Sequence, residues 1–258
     1  MKRKLEEEEN KIMLMDENTL YAIFEYVEEG MFEEAKKFIP ENERRLFSSL
    51  SFRRHPIGVV WYGPVPLLHF SVAVGCREMV QYLLDGGAEI ELKNPQNEWT
   101  PLHEVDDEQC CELLLHRGAK IEARDHEQMT PLLHVARRGN ESVFKLLINN
   151  GANIHACDQD GFTCLHVAAR SNHLSLTEYL LMFIRIDVKT KNDKTPLDIA
   201  RLYNANNTIW LLKNYPVIMN LSGVISRGLT DGFEFSDFLV KGLCDPRLFM
   251  IVSQFAFQ

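Results

Sequence analysis

The stretch from Thr130 to Ala152, TPLLHVARRGNESVFKLLINNGA, decides the fold. Its Thr-Pro start can open a helix, because Thr caps the free amides of a first turn and Pro is tolerated at the first helical position. Gly139 ends that helix, since Gly adopts a left-handed backbone at little cost. Val143, Leu147 and Ile148 follow at helical spacing and predict a second helix. One helical hairpin of this size cannot bury its own apolar face, so the pattern predicts neighbouring copies.

Copies of this stretch recur at a period near 33 residues. The helix-start pattern T-P-L-H, or a close variant, begins at Pro66, Thr100, Thr130, Thr163 and Thr195. The second helix ends in L-L-x-x-G-A, or a close variant, at residues 83–88, 114–119 and 147–152. Together these two motifs resemble the ankyrin repeat, which is a turn followed by two helices. The resemblance implies an all-α ankyrin-repeat solenoid of about five to six helix-turn-helix units with capping helices.

The repeat pattern divides the chain into four regions. Residues 1–15 form a charged N-terminal tail, and residues 16–65 form a degenerate capping unit that resembles an ankyrin repeat, followed by an insert. The capping unit is predicted from two apolar stripes on either side of Gly30. Residues 66–213 hold the ankyrin repeats. Residues 214–258 are either a helical cap or a partner-binding segment.

Composition disfavours several classes of protein. The chain has 258 residues and a formal net charge of −9, which disfavours general binding to nucleic acid or to anionic membranes. No apolar run is long enough to span a bilayer, and Met1-Lys2-Arg3-Lys4 leads into four glutamates rather than into an apolar secretion signal. We therefore expect a cytoplasmic protein, with the nucleus as the alternative that the basic triplet leaves open. We also expect a monomer.

The insert and the C-terminal segment each leave alternatives open. Residues 41–65 interleave arginines with aromatic residues, a composition that can bind single-stranded nucleic acid, whereas a loop packed on the cap or a protein contact suits an acidic chain better. Further on, helices are predicted over residues 233–242 and from Asp245. A ligase-recruiting box, as in ankyrin proteins with a SOCS box, has a Leu four residues before a Cys. Here Leu239 lies five residues before Cys244.

Two units depart from the pattern. The unit that begins at Thr100 has 20 residues to Ala119, against 23 from Thr130 to Ala152, so its first helix must lose most of a turn. The deletion lies near residues 106–108 and predicts an acidic corner beside the groove. The unit that begins at Thr163 lacks a turn glycine, which predicts a shorter and differently aimed turn at residues 191–193.

Histidines lie near the start of several first helices. His69, His103 and His166 occupy the last position of the T-P-L-H pattern, where the ankyrin resemblance implies a structural role that joins adjacent units. His134 lies one place later, because Leu133 occupies the usual position. We expect the usual link to be lost there.

No motif for catalysis or metal binding is present. His155, Cys157, Cys164 and His166 carry zinc-type atoms, but their spacing matches no zinc finger. The cysteines form no C-x-x-C pair, and no nucleophile elbow, P-loop or H-E-x-x-H motif occurs. We predict a protein that is not an enzyme and needs no cofactor or metal. His155 occupies the position where ankyrin repeats usually carry Asn, so the resemblance also implies hydroxylation by an asparaginyl hydroxylase as an alternative to a plain turn residue.

Recognition of another protein is the function that remains. In ankyrin proteins the turn tips and the ends of the first helices line a concave groove. Here the predicted groove residues are Gln96, Asn97, Trp99, His126, Met129, Arg137, Arg138, Arg170 and Tyr203. We predict a non-catalytic scaffold or adaptor that binds an extended partner segment with acidic and apolar residues. The alternative is a substrate-recognition subunit of a ubiquitin ligase that recruits the ligase through residues 214–258.

Overall fold

The structure is a computed structural model that describes residues 17–41, 44, 51–52 and 65–216. Nearly all of the regular structure in these residues is helical. The elements are α1 Glu17–Glu28, α2 Phe32–Lys36, β1 Ser51–Phe52, β2 Val65–Pro66, α3 Leu67–Ala73, α4 Arg77–Asp85, α5 Pro101–Glu104, α6 Glu108–His116, α7 Pro131–Arg138, α8 Glu141–Asn149, α9 Cys164–Arg170, α10 Leu174–Leu180, α11 Pro196–Leu202 and α12 over residues 206–216.

The helices form pairs that stack on one another. Inside a unit the first helix packs on the second, as α3 does on α4 and α7 does on α8. Between units, α3, α5, α7 and α9 each pack on the next first helix, which makes α11 the last of this row, and among second helices α4 packs on α6 and α6 on α8. The N-terminal pair, α1 and α2, packs on α3 and α4. This arrangement confirms the predicted all-α solenoid.

Some sequence predictions lie outside the described residues. They are the charged tail over residues 1–15, the helices over 233–242 and from Asp245, and the recruiting box at Leu239 and Cys244. The ends of the insert are described, and there β1 and β2 form a two-residue antiparallel pair, with Ser51 opposite Pro66. None of the described helices is both long and apolar enough to cross a bilayer.

Thr residues begin most of the first helices because their hydroxyls satisfy free amides of the first turn. The Thr130 hydroxyl accepts a hydrogen bond from the Leu133 amide at 3.3 Å, and the Thr195 hydroxyl accepts one from the Asp198 amide at 3.3 Å. Helix α3 differs, because Pro66 occupies the cap position and provides no side-chain cap.

Histidines join adjacent units, as the sequence predicts. Nδ1 of His103 accepts a hydrogen bond from the Thr100 amide at 3.0 Å, and Nε2 lies 3.2 Å from the Met129 carbonyl oxygen of the next unit. His166 makes the equivalent contacts two units later. Each ring therefore fixes its own helix start and also binds the following turn.

His69 makes only half of these contacts. Its Nε2 lies 2.7 Å from the Leu92 carbonyl oxygen, so Nε2 donates and Nδ1 is left as an acceptor. Pro66 has neither an amide hydrogen nor a hydroxyl, and Nδ1 has no hydrogen-bond partner among the described residues. An oxygen of the buried Glu104 carboxyl lies 3.9 Å from this nitrogen.

Burial sets the protonation of this His–Glu pair. It raises the pKa of Glu104 to about 7, against the opposing attraction of Arg138 and Arg137. Burial likewise lowers the pKa of His69 to about 4. His69 is therefore neutral near pH 7, where Glu104 changes its charge.

The unit that begins at Thr100 is shortened where the sequence predicts. Helix α5 has four residues, whereas α7 has eight. The Arg138 guanidinium donates to the His103 carbonyl at 3.1 Å and also to the Val105 carbonyl, both of which the missing turn leaves free. The Asn140 side chain donates to the Asp106 carbonyl at 2.8 Å. Side chains of the following unit therefore replace part of the lost turn.

The prediction of a differently aimed turn at residues 191–193 is wrong. Asp193 adopts φ of 56°, which is the same left-handed conformation that Gly161 adopts in the preceding unit at φ of 82°. Asp tolerates this conformation better than most residues with a side chain. The turn therefore keeps its geometry without a glycine.

Candidate functional site

The turn tips of successive units form a continuous row. Backbone hydrogen bonds join each tip to the next among the described units, from the amides of His126, Gln159 and Lys191 to the carbonyls of Asn97, Glu127 and Asp160 at 3.2, 3.0 and 2.9 Å respectively. The row forms one side of the groove, and the ends of the first helices lie beside it. Residues of one tip are thereby held in register with those of its neighbours.

Three of the predicted groove residues lie at these tips. Gln96 and His126 are exposed, and Asn97 is half-buried. Nδ1 of His126 lies 2.8 Å from the Asn97 carbonyl oxygen, and the Asn97 side chain accepts a hydrogen bond from the Trp99 amide at 3.2 Å. Asn97 therefore shapes its turn, while Gln96 and His126 face the solvent at the rim.

Trp99 lies against two residues of the next unit. Its ring meets the His134 ring edge-on, with the centroids 4.4 Å apart. The guanidinium carbon of Arg137 lies 5.3 Å from the Trp99 ring centroid, within the range of a cation–π contact. Trp99 is half-buried and Arg137 is exposed. The tryptophan therefore supports an arginine at the groove surface.

His134 is a neutral ring that is held between an anion and a cation. Its Nε2 lies 2.9 Å from Oδ2 of Asp125, and Nη2 of Arg137 lies 3.0 Å from its Nδ1. Because arginine only donates, Nδ1 accepts and Nε2 carries the proton that bonds Asp125. Burial lowers the pKa of His134 to about 4. Burial acts to raise the pKa of Asp125, but hydrogen bonds from His134 and the Met129 amide outweigh it and lower that pKa.

A second arginine–aromatic pair lies further along the groove. The guanidinium carbon of Arg170 lies 4.4 Å from the ring centroid of Tyr203 in the next unit. Both residues are exposed, and Leu202, next to Tyr203, is 71% exposed. The groove thus presents two arginines on aromatic rings and an apolar side chain beyond them.

A comparison with protein families agrees with this architecture. A family model described as ankyrin repeats, in three copies, matches residues 68–158, 104–192 and 132–221. The overlapping matches together span more than half of the chain. This chain belongs to the ankyrin-repeat family. Ankyrin repeats generally mediate protein–protein interactions and are typically not catalytic.

Two of the predicted groove residues are used by the fold itself. Met129 is 5% exposed, because neighbouring residues of the turn face opposite ways and Gln128 takes the outer position. The side chain of Arg138 is 25% exposed and bonds backbone carbonyls of the preceding unit. The prediction that Met129 is exposed at the groove is wrong, because its side chain is buried, whereas a partner contact of Arg138 stays a prediction.

The acidic corner of the shortened ankyrin unit is largely used by the fold itself. Asp107 caps α6 by accepting a hydrogen bond from the Cys110 amide at 2.8 Å. Asp106 accepts hydrogen bonds from the Asn140 side chain and lies 3.6 Å from Nε of Arg138. Glu108 is exposed. The corner therefore offers much less free negative charge than its sequence indicates.

The zinc-type residues do not converge on a site. In the part of the chain that the structure describes, no three His, Cys, Asp or Glu side chains form a group that could hold a metal ion. Cys164 is buried, which raises its thiol pKa, and both ring nitrogens of His166 make hydrogen bonds. His155 is exposed, with its amide donating to the Asn153 side chain at 3.0 Å. Its hydroxylation stays a prediction.

Sequence reasoning missed Leu202, although a signal for it exists. We define the groove slot as the position seven residues after the Thr that caps a first helix. Arg137 and Arg170 occupy it in the units of Thr130 and Thr163, and Leu202 occupies it in the unit of Thr195. Alignment of all units on their capping Thr would have found it.

Proposed function

We propose that this ankyrin-repeat chain is a non-catalytic scaffold or adaptor that holds a protein partner in its concave groove. The groove residues that support the proposal are Gln96, Asn97, Trp99, His126, Arg137, Arg170 and Tyr203. They lie along the turn tips and the ends of the first helices. An extended partner segment with acidic and apolar residues suits this surface.

The observation that carries the proposal is the state of two arginines. Arg137 and Arg170 are exposed and held on aromatic rings. Within the described ranges, neither lies within ion-pair distance of a carboxylate, whereas Arg117, Arg185 and Arg201 do. In a chain of net charge −9, such arginines suit an acidic protein segment better than a nucleic acid or a membrane.

Affinity capture with a charge-reversed groove tests the proposal. The full chain and the variant Arg137→Glu with Arg170→Glu are immobilised, and the retained proteins are identified. A control, Arg117→Glu with Arg185→Glu, changes the net charge equally outside the groove. We expect the control to retain the partners of the native chain and the groove variant to lose them. Equal retention by all three proteins would move recognition to another surface, with the insert at residues 41–65 the first to examine.

A further inference from the structure

We propose that the groove recognises two carboxylates three residues apart in an extended partner segment, followed after three more residues by an apolar side chain near Leu202. This inference rests on the proposed function and specifies the ligand of the same groove. The inference depends on the residues that occupy the groove slot in three consecutive units: Arg137, Arg170 and Leu202.

Both arginines are held in place before any ligand arrives. Arg137 has its guanidinium on the Trp99 ring and one Nη2 donor on Nδ1 of His134. Arg170 lies on the ring of Tyr203. A guanidinium has five donors, and contact with a ring face uses none of them. The remaining donors can therefore bind carboxylates, with less side-chain entropy lost on binding.

The two guanidinium groups repel each other. Burial lowers the pKa of Arg137 most, and the charge of Arg170 lowers it further. Glu127 and Asp125 raise it again, yet neither forms an ion pair with Arg137 among the described contacts. A ligand that carries one carboxylate to each arginine would relieve this repulsion. The pair therefore favours two negative charges over one.

Repeat geometry fixes the spacing of these charges. Arg137 and Arg170 occupy the groove slot of adjacent units, and their helices α7 and α9 pack on each other. Packed helices lie about 8–10 Å apart. An extended segment in the polyproline II conformation rises about 3.1 Å per residue with three residues per turn, so residues three apart cover this distance and lie on the same side. A helical segment would need about seven residues, because its rise is about 1.5 Å per residue.

The next unit supplies the apolar end of the pattern. Leu202 takes the groove slot that arginine takes in the two preceding units, and α11 packs on α9. Leu202 is the most exposed of the large apolar side chains in the described residues, at 71%. One further turn of three residues in the same polyproline II segment reaches it. The ligand pattern is then acidic-x-x-acidic-x-x-apolar, in one of the two chain directions.

Titration of labelled synthetic peptides against the full chain tests the inference. The first peptide has the core Glu-Ser-Thr-Glu-Ser-Thr-Leu, and the second has the reverse sequence. Isomers that place the two glutamates next to each other or five residues apart complete the set. We expect one of the two three-residue spacings to bind at least about fivefold more tightly than the other isomers. Arg170→Ala should weaken that binding about tenfold, the loss of one charge-assisted contact. Arg117→Ala should leave it unchanged.

The outcomes separate this inference from the proposed function. Equal affinity for all spacings, or preference for glutamates seven apart, overturns the extended two-carboxylate ligand. If captured partners are still lost on charge reversal of the groove, the proposed function stands without it. Binding of the preferred peptide that Arg170→Ala leaves intact also overturns the inference. Arg137→Lys, which keeps the charge but not the stacked guanidinium, should weaken binding several-fold and controls for folding.

Discussion

The unit that begins at Thr100 and the unit that begins at Thr130 depart from the ankyrin pattern in opposite ways. The first has a complete Thr–His contact but only a four-residue first helix, and the second has an eight-residue helix without His at the usual position. Each unit is completed by the other. Arg138 bonds free carbonyls of the shortened unit, and Asp125 of the shortened unit bonds His134. The departures of the two neighbouring repeats are thus coupled, because side chains of each repeat make hydrogen bonds that compensate for the departure of the other.

Removal of Asp125 should break this coupling most severely. Its carboxylate accepts hydrogen bonds from His134 and from the Glu127 and Met129 amides, all within 2.9 Å. Asp125→Ala leaves these donors unpaired in the interior and should cost about 4 kcal/mol of unfolding free energy. Urea unfolding measures the loss. Asp106→Ala removes an exposed carboxylate and serves as the control, which should cost under about 1 kcal/mol. Similar losses in the two variants would mean that the Asp125 hydrogen bonds contribute no more to stability than an exposed carboxylate does.

Glu104 should make the stability of the shortened unit depend on pH. Its folded pKa of about 7 lies above the ordinary value of 4.5 for a glutamate, so the folded state binds the proton more tightly. Stability contributed by the protonated form is complete below about pH 4.5 and is lost as the pH rises through 7. Gln resembles the protonated acid. Glu104→Gln should therefore match the native chain near pH 4 and exceed its stability on the order of 3 kcal/mol at pH 8.

Three buried histidines act in the same pH range with the opposite sign. The pKa values of His69, His103 and His134 are lowered to about 4, so their contribution is lost as the pH falls from 6.5 through 4. Both proteins should therefore lose stability in acid, and the variant should lose more. Thermal unfolding from pH 4 to pH 8 gives both curves. Parallel curves would show that Glu104 does not titrate in this range.

Arg138→Ala tests the other half of the coupling. The change removes the donors to the His103 and Val105 carbonyls and should cost about 2 kcal/mol, because the site is a quarter exposed and water can replace part of the contact. Arg137→Ala is the matched control one residue away. It should cost under about 1 kcal/mol, since Arg137 is exposed. Equal costs would mean that the Arg138 hydrogen bonds stabilise the fold no more than the exposed side chain of Arg137 does.

The smallest effect should be a gain at the start of the array. Pro66→Thr supplies the amide and hydroxyl that the other histidine contacts use, so Nδ1 of His69 acquires donors. We expect a stabilisation of about 1 kcal/mol. Pro66→Ala restores only the amide and should gain about half as much in the same urea titration. A destabilised Thr variant would show that the proline ring matters more than the missing contact.

Much of this fold could be predicted from the sequence because its determinants are local. The repeat signals lie at fixed offsets in the sequence: a capping Thr, a Pro at the helix start and a left-handed turn residue. The helix pairs and the lost turn after Thr100 can therefore be identified from the sequence alone. Asp193 shows the limit even there, since a residue with a side chain adopted the conformation expected of glycine.

The groove was harder to predict because neighbouring residues in the sequence face different units. Arg137 and Arg138 are the same residue type at adjacent positions, but a helix turns about 100° per residue, and Arg137 is exposed whereas Arg138 is partly buried. The role of Arg138 depends on carbonyls that were freed more than 30 residues earlier. The sequence shows that His134 lies one residue after the usual histidine position. Nothing in the sequence indicated that His134 would form a hydrogen bond with Asp125 of the preceding turn.

The hydrogen bonds between turn tips also determine how the molecule yields to force. Pulling along the stacking direction loads these bonds one unit after another, because within the described repeats each tip bonds the tips of adjacent units. The array should peel stepwise rather than rupture at once. Each step would release about 110 Å of chain for a unit near 33 residues, and about 10 Å less for the shortened unit. The missing turn would thus appear as one short interval in an otherwise regular extension trace.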